Sequence, residues 1–428
     1  MHRIEPFRGL LYDVARCGSL SGVVAPPYDL IDTARQSALY ARSPYNVVRL
    51  ELNRDADPYG SAARTFDDWI DAGVLVRAPQ PAIYLYSQFF EVDGRRMRRD
   101  GLIVRLKLEE FSAGRILPHE RTFPKAKKDR LDLLTALEAN VSSVFGLYAG
   151  SHPELSRLIA ALRNREPDVE VTDDLGTRNQ LRTLTDDAMI STIQRELEAP
   201  LILIADGHHR YETALEFRRR MRAAAGGPQD VQPYDYTMMT LVGCDDPGLM
   251  ILPTHRVARR LDPAAVASFD DAAQRLFVLE RFADRDAMRA ALGKAGQGAI
   301  GVALGGVHPA LRILRLKDPE ALVQAMSAAP DAVRRLDVSV LHSLVLDRLF
   351  GITPEQVKAG GLIDYTIDAR GALDDVAKGR AAGVFLMNPP TIADVGAVSE
   401  AGALMPEKST YFYPKLLTGL VVNPLDQA

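Results

Sequence analysis

The sharpest hydrophobic signal in the chain is Leu201–Ala205, LILIA, followed by Asp206-Gly207 and, from His208, a helical pattern reaching about Arg222. Five apolar residues in a row read as a buried strand. The Asp-Gly exit and the helical spacing after it predict strand, turn, helix. Alternation in AIYLYSQFFEV and RRMRRDGLIVRLKL, on either side of Asp93-Gly94, predicts a hairpin over residues 82–108 with a type I′ turn. Arg95, Arg96, Arg98 and Arg99 then read as solvated charges on an outer strand face. VVRLEL, residues 47–52, predicts another strand, with either Arg49 or Glu51 turned to a pocket side. Pro26 and Pro27 predict a rigid extended turn after a short strand.

Helical spacing marks residues 34–42, residues 61–72 with Phe66 and Trp69 on the core side, and the segment carrying Leu131, Leu134 and Leu137. VSSVFGLYAG reads as a strand. Residues 151–198 read as an insertion with two helical stretches around VEVTDDLGTRN. YTMMTLVGC and GLMILPTHRVA are strand-rich, with Asp245 and Asp246 in the turn between them. From Leu261 onward helix and strand alternate: ASFDDAAQRLF, FVLERF, DRDAMRAAL, AIGVALGG, ALRILRL, GLIDYTID and AAGVFLMNPP. DVSVLHSLVLDRLF is a helix that places His342 inward as a core histidine. The expected class is α+β or mixed α/β, with one domain over residues 1–260 and a C-terminal α/β domain over 261–428.

Length changes this picture little: 428 residues exceed one ordinary core and call for two or three domains. A net charge of −4 makes no electrostatic case for nucleic acid. Two cysteines, Cys17 and Cys244, support neither a disulfide framework nor a thiolate metal site. No apolar run approaches a membrane span, and MHRIEPFRGLLYD lacks the order of a signal peptide, so a cytoplasmic protein is expected. The GxxxxGK[ST] loop, GxGxxG before a helix, HExxH, CxxC and the protein-kinase signatures are absent.

The candidate chemistry sits in irregular stretches. Asp206, Gly207, His208, His209 and Arg210 crowd the turn at a helix N-terminus, where unpaired N–H groups and the dipole favour an anion such as phosphate. Gly207 permits close backbone approach and Arg210 supplies a fork that matches phosphate oxygens. Asp206 would repel a bare phosphate, so it is expected to orient a hydroxyl, a histidine or a metal ion. His119 and Glu120 lie between Pro118 and Pro124 and therefore on a loop, a common place for catalysis. Thr254-His255-Arg256 is a second His-Arg pair, either part of a phosphate site or a solvated strand end. Lys408, Ser409, Thr410 and Lys415 crowd a Pro-bounded stretch that could close over an anionic substrate, or be a polar C-terminal loop.

The DGHHR box, with the aromatic residue and small-residue helix that follow it, resembles the phosphate-binding box of the ParB/sulfiredoxin-like superfamily. It is most similar to that of the free serine kinases, which move a phosphoryl group from a nucleotide to free L-serine. VAPPYD, SPYNVVRLEL, LPHERTFPK and MPEKSTYFYPKLLTGL, taken with the box, resemble a large prokaryotic family known mainly as a domain of unknown function. That likeness spans almost the whole chain; the kinase likeness rests on a few short motifs. The kinase resemblance implies a ParB/sulfiredoxin-like nucleotide-binding core with inserted helices over residues 1–260, and a C-terminal domain whose last loop, residues 405–418, returns to the active-site cleft. It implies Glu120 as general base, from a similar Pro-His-Glu, although Glu120 and Asp206 are spaced far more widely here. It implies the box as holder of the donor phosphates. Lys408, Ser409 and Thr410 match its Ser-Pro-Lys-Thr-Thr element loosely.

The expected activity is therefore a small-molecule kinase using a nucleoside di- or triphosphate (ATP, ADP or CTP) and Mg2+, shared by Asp206 and Glu120, with L-serine as first acceptor. Arg121 and Lys408 are candidates for the acceptor carboxylate or the moving phosphoryl group; Glu51, His255 and Lys415 rank second. His119 joins Glu120 and Asp206 as a catalytic candidate. A nucleotide- or phosphoserine-binding regulator and a ParB-like nucleotide hydrolase are the alternatives. Sulfiredoxin chemistry needs a cysteine where His208 stands, and ParB-type DNA clamping needs a helix-turn-helix and basic surface that the sequence lacks. Neither nucleic acid nor membrane is expected as a partner, and the sequence leaves the oligomeric state open.

Overall fold

Ile202–Asp206 forms the strand that its apolar run predicts, and His208–Ala224 forms the helix behind it. In the computed structural model, residues 3–227, 230–305 and 309–426 are described. They form two compact units. The first comprises Met1–Pro118, Thr122–Leu249 and Pro414–Ala428; the second comprises His119–Arg121 and Met250–Tyr413. The mixed α/β expectation is met, with a large mixed sheet in the first unit and further sheets and helices beside it.

The first unit is built on a nine-stranded sheet. Its path runs from Ile116–Leu117 through Ile202–Asp206, Val144–Tyr148, Tyr236–Gly243, Arg95–Lys107, Ile83–Val92 and Arg178–Leu184 to Val169–Thr172. Ile4–Glu5 pairs with Arg95–Lys107 off this path. Two pairings are parallel, Ile202–Asp206 with Ile116–Leu117 and Tyr236–Gly243 with Val144–Tyr148. The predicted hairpin forms, and Asp93 and Gly94 both take positive φ (49° and 75°), as a type I′ turn requires. The segment read as an insertion contributes helices Pro153–Arg163 and Asp187–Glu196 and an edge hairpin that extends this sheet. Helices Pro124–Leu137 and His208–Ala224 bury Leu131, Leu134, Tyr211, Leu215 and Phe217 in a core with Ile202 and Ile204. A second core gathers Phe66 and Trp69 from the helix Pro58–Asp71.

Three local readings need correction. VVRLEL is not a strand: Val48–Glu51 is a helical turn, and the Asn46 side chain accepts from Val48 N at 3.0 Å to start it. Residues two apart share a face of a strand, so only the helical turn separates Arg49 from Glu51. Ahead of Pro26 the chain forms the helical turn Leu20–Val23 rather than a strand. Arg99 is buried inside the sheet, not solvated.

The second unit carries a six-stranded sheet in the order Phe277–Phe282, Ala310–Leu316, Ile300–Leu304, Gly383–Leu386, His255–Ala258, Ile363–Thr366. Every pairing in it is antiparallel. Helices Arg285–Ala295 and Ala369–Ala377 bury Met288, Leu292, Leu373 and Val376 against it. The DVSVLHSLVLDRLF helix is interrupted by a π-helical stretch at Leu341–Asp347. His342 does point inward there, but its Nε2 has no hydrogen-bond partner. No helix among the described residues is long and apolar enough to cross a membrane.

Candidate functional site

The strand Ile202–Asp206 does not end in register. Ile204 stands opposite Gly146 but Asp206 stands opposite Phe145, so an extra residue is accommodated between them. Such a bulge turns a side chain to the other face. Asp206 thereby leaves the core face of Ile202 and Ile204 and joins the face of Phe145.

Gly207 follows with φ 88°, a backbone state that favours glycine. A Cβ there would meet Arg210 Nε and Nη2 at 2.9 Å, so the missing side chain is what lets the Arg210 guanidinium fold back over the turn. Arg210 Nη2 donates to Asp206 Oδ2 at 2.8 Å, and Nη1 donates to the Ser143 carbonyl. Its buried Nε has no partner. On the other carboxylate oxygen, Lys415 Nζ donates to Asp206 Oδ1 at 2.5 Å. Burial alone would raise the Asp206 carboxyl; Lys415 and Arg210 outweigh it and hold the group well below the usual carboxylate range.

His208 is buried in the first turn of the helix. His209 Nε2 accepts from Phe123 N at 2.9 Å, with the Phe123 ring stacked on the imidazole. One residue earlier, Thr122 Oγ1 donates to Glu212 at 2.9 Å. Lys127 closes the group with Nζ 3.0 Å from Glu212.

Lys415 is placed by residues that strand alternation alone did not mark. Arg99 donates to the Pro414 carbonyl at 2.6 Å and to Gln88, and lies 4.6 Å over the Phe145 ring. Gln88 Nε2 donates to the Lys415 carbonyl at 3.0 Å, and Leu417 N donates to Tyr86 OH at 3.3 Å. Burial brings the Arg99 guanidinium down to about 10. A signal for Arg99 existed: four arginines within five positions of one strand cannot all face water when residues 101–104 are buried.

A second polar group lies beside the box. Glu51 accepts from Arg130 Nη1 at 3.0 Å and from Ser142 Oγ at 3.1 Å. Arg130 in turn stacks over Tyr28 at 4.2 Å and bonds Asp129. Burial pushes the Tyr28 phenol up to about 12, against the opposing pull of Arg210 and Arg130. Glu51, Arg130, Ser142, Arg210 and Thr213 border one cavity of about 40 Å3. VAPPYD, SPYNVVRLEL and DGHHR thus meet in this unit.

The remaining candidates come together in the second unit. His119 is buried, with Nε2 2.9 Å from Thr410 Oγ1, and its carbonyl accepts from Met405 N at 2.8 Å. Glu120 Oε1 accepts from Lys408 N at 3.4 Å. Lys408 sits at φ 52°, the left-handed region, and its side chain is exposed. Ser409 donates to the Pro406 carbonyl. From beneath, buried Arg256 donates to the carbonyls of Glu407 and Lys408 at 3.1 and 3.2 Å. Arg121 is exposed. His255 is neither a solvated strand end nor an open ligand: Met387 N donates to its Nδ1 at 3.1 Å, and burial pulls the ring down to about 4.

The arrangement around Asp206 does not fit a magnesium held by protein ligands. Both carboxylate oxygens already face cations, and no cluster of three or more His, Cys, Asp or Glu among the described residues could hold a metal. What the turn offers is a helix N-terminus with an arginine and a lysine gathered on one carboxylate.

The chain belongs to the family described as "Protein of unknown function (DUF1015)", which matches residues 4–339. No curated protein matches it. Among solved structures it is similar to a free serine kinase in complex with AMP, at 15% identity and a TM-score of 0.35, covering 72% of this chain and 86% of that one. A conserved hypothetical protein from Pyrococcus furiosus matches at 14% identity and TM-score 0.34, covering 73% and 92%. C-terminally truncated SbnI from Staphylococcus aureus matches at 11% and 0.34, covering 76% and 87%. Likeness at these scores is too slight to carry a functional argument.

Proposed function

We propose that the protein is a nucleotide-dependent phosphotransferase acting on the hydroxyl of a small amino acid, free L-serine first. The observation that carries this reading is the Asp206 carboxylate held between Arg210 and Lys415 at a helix N-terminus. In it two cations meet on one carboxylate at the N-terminal turn of the helix, and the carboxylate keeps both ordered before any ligand arrives. An incoming phosphate competes for Lys415 and for the unpartnered Arg210 Nε. Phosphoryl transfer asks for little beyond this: phosphates held, acceptor in line, and a base for its proton.

Glu120 is the base in this reading. It takes the serine hydroxyl proton as the oxygen attacks the terminal phosphorus, and the nucleotide leaves with one phosphate fewer. The role rests on the resemblance of Pro118-His119-Glu120 to the Pro-His-Glu of the free serine kinases. Arg121 and Lys408 are assigned to the acceptor's carboxylate, and Ser409 and Thr410 to the loop that carries Lys408. No step is routed through a metal.

The test incubates the protein with ATP, ADP or CTP and a panel of hydroxy amino acids, with O-phosphoserine read by mass spectrometry. Phosphoserine formation is expected. Nucleotide binding without any product would replace the kinase reading with that of a regulator. Nucleotide hydrolysis without transfer would point to a ParB-like hydrolase.

A further inference from the structure

A cavity within the second unit is lined by none of the residues named above as candidates, although its Asp337 also borders a smaller space shared with Ser409 and Arg256. The cavity measures about 320 Å3 and is walled by Phe277, Ile300, Leu314, Leu322 and Val340. That volume sits at the small end of ligand pockets, which span roughly 300–1,000 Å3. It suits a small molecule of amino-acid size.

The cavity lining includes four charged residues, Asp331, Arg334, Arg335 and Asp337. Asp331 and Arg334 are paired to each other. The other two differ. Asp337 Oδ1 accepts from Gly298 N at 2.8 Å, but Oδ2 is buried with no partner. Burial is the main cause that pushes this carboxyl up to about 6, with Asp394 adding to it. A buried acceptor without a donor is costly, and a ligand that supplies the donor recovers that cost. Asp337 also borders a second space, but at about 20 Å3 that one admits no more than a water. Two residues before Asp337, Arg335 is exposed.

We propose that this cavity binds a large apolar α-amino acid, with its side chain among Phe277, Ile300, Leu314 and Leu322, its ammonium on Asp337 and its carboxylate on Arg335. The charges select the class. A fatty acid would bring a second anion to the Asp337 carboxyl. A simple amine would leave Arg335 unused. An α-amino acid carries both charges on neighbouring atoms at one end of an apolar body. The site is separate from the proposed phosphotransfer residues, so each reading can fail without the other.

The test titrates the full-length protein with L-phenylalanine and L-leucine by calorimetry and follows the melting temperature. Phenethylamine, 3-phenylpropanoate and L-alanine serve as probes lacking one feature each. One-to-one binding with a raised melting temperature is expected for at least one of the two amino acids. The three probes should bind at least about tenfold more weakly, since each forgoes a charge-assisted contact or the apolar burial. Arg335→Ala, at an exposed position, should leave the unliganded melting temperature unchanged and weaken binding by about tenfold or more. Val340→Phe, which fills the space, should abolish it. The proposal is overturned if neither amino acid binds up to about 10 mM. It is equally overturned if any single-feature probe matches the amino acid, or if Arg335→Ala binds as wild type.

Discussion

The Lys415 ammonium lies 2.5 Å from Asp206 Oδ1, joining positions 209 residues apart in the chain. The contact fixes Asp206 as an anion and fixes Lys415 at the N-terminal turn of the box helix. Lys415→Met should therefore weaken nucleotide binding and also destabilise the fold by about 1.5–3 kcal/mol at pH 7, the scale of a charge-assisted hydrogen bond. The sign with pH follows from the depressed Asp206 value. Its stabilising contribution is complete above the unfolded carboxyl value of about 3.9 and is lost as pH falls below that. Urea unfolding of wild type and Lys415→Met should thus differ at pH 7 and draw together as pH falls below about 3.9, converging only where Asp206 protonates in the folded protein as well. A gap that stays constant with pH would mean that the two groups are not coupled.

Arg210→Ala tests the other side of Asp206. A phosphate fork alone would be removable without touching the fold. Arg210 also bonds Asp206 and the Ser143 carbonyl, so the substitution should lower both nucleotide affinity and melting temperature. Arg210→Lys keeps the charge but loses the fork, and should regain only part of each. Calorimetry and thermal melting on the same preparations check this; wild-type melting for Arg210→Ala would contradict the folded-back geometry.

How much of this was legible in the sequence depended on range. The strand-turn-helix at Leu201–Ala224 could be read because an apolar run, a glycine and helical spacing are local signals. The hairpin at Asp93-Gly94 could be read for the same reason. Val48–Glu51 misled because four residues of alternating polarity fit either period, and tertiary packing decides so short an element. The bulge that re-aims Asp206 and the clamp of Arg99 and Gln88 on Pro414 and Lys415 involve partners remote in sequence, which no spacing rule reaches. Asp206 and Arg210 are neighbours in the sequence, but their mutual ion pair changes both roles: the arginine is partly occupied and the aspartate is not an open metal ligand.

Glu51 and Arg130 form a buried ion pair, their side chains 2% and 5% exposed. Removing one partner strands the other charge, so Arg130→Met should cost about 3–5 kcal/mol in urea denaturation. The double substitution Glu51→Gln with Arg130→Met should cost less than Arg130→Met alone, because no uncompensated carboxylate remains. Additive losses would show that the two do not act as a pair.

Two histidines of the second unit make acid sensitivity predictable. Burial, with Arg256 adding to it, lowers His255 to about 4 and His342 to about 3. Both are neutral in the folded state near neutral pH, and the unfolded chain takes up their protons below about 6.5. Each depressed histidine therefore costs nothing above that pH and about 1.4 kcal/mol per unit as pH falls from there toward its folded value. His255→Asn can keep an acceptor for Met387 N and removes one titration. Its stability relative to wild type should rise by about that slope between pH 6.5 and 4.5. Parallel stability curves would mean that His255 is protonated in the folded protein.

The chemistry itself turns on Glu120. Glu120→Gln keeps the size of the side chain and an oxygen that can accept from Lys408 N, and loses the capacity to take a proton. If the carboxylate is the general base, nucleotide and serine affinities should stay near wild type while turnover falls by roughly 10²–10⁴. Calorimetry gives the first and phosphoserine formation gives the second, on one preparation. Equal turnover in wild type and variant would remove Glu120 from the reaction. The other carboxylates make poor substitutes: Asp206 is held as an anion by two cations, and Glu51 is buried on Arg130. His119, bonded to Thr410 on the same loop system, would be the next group to replace.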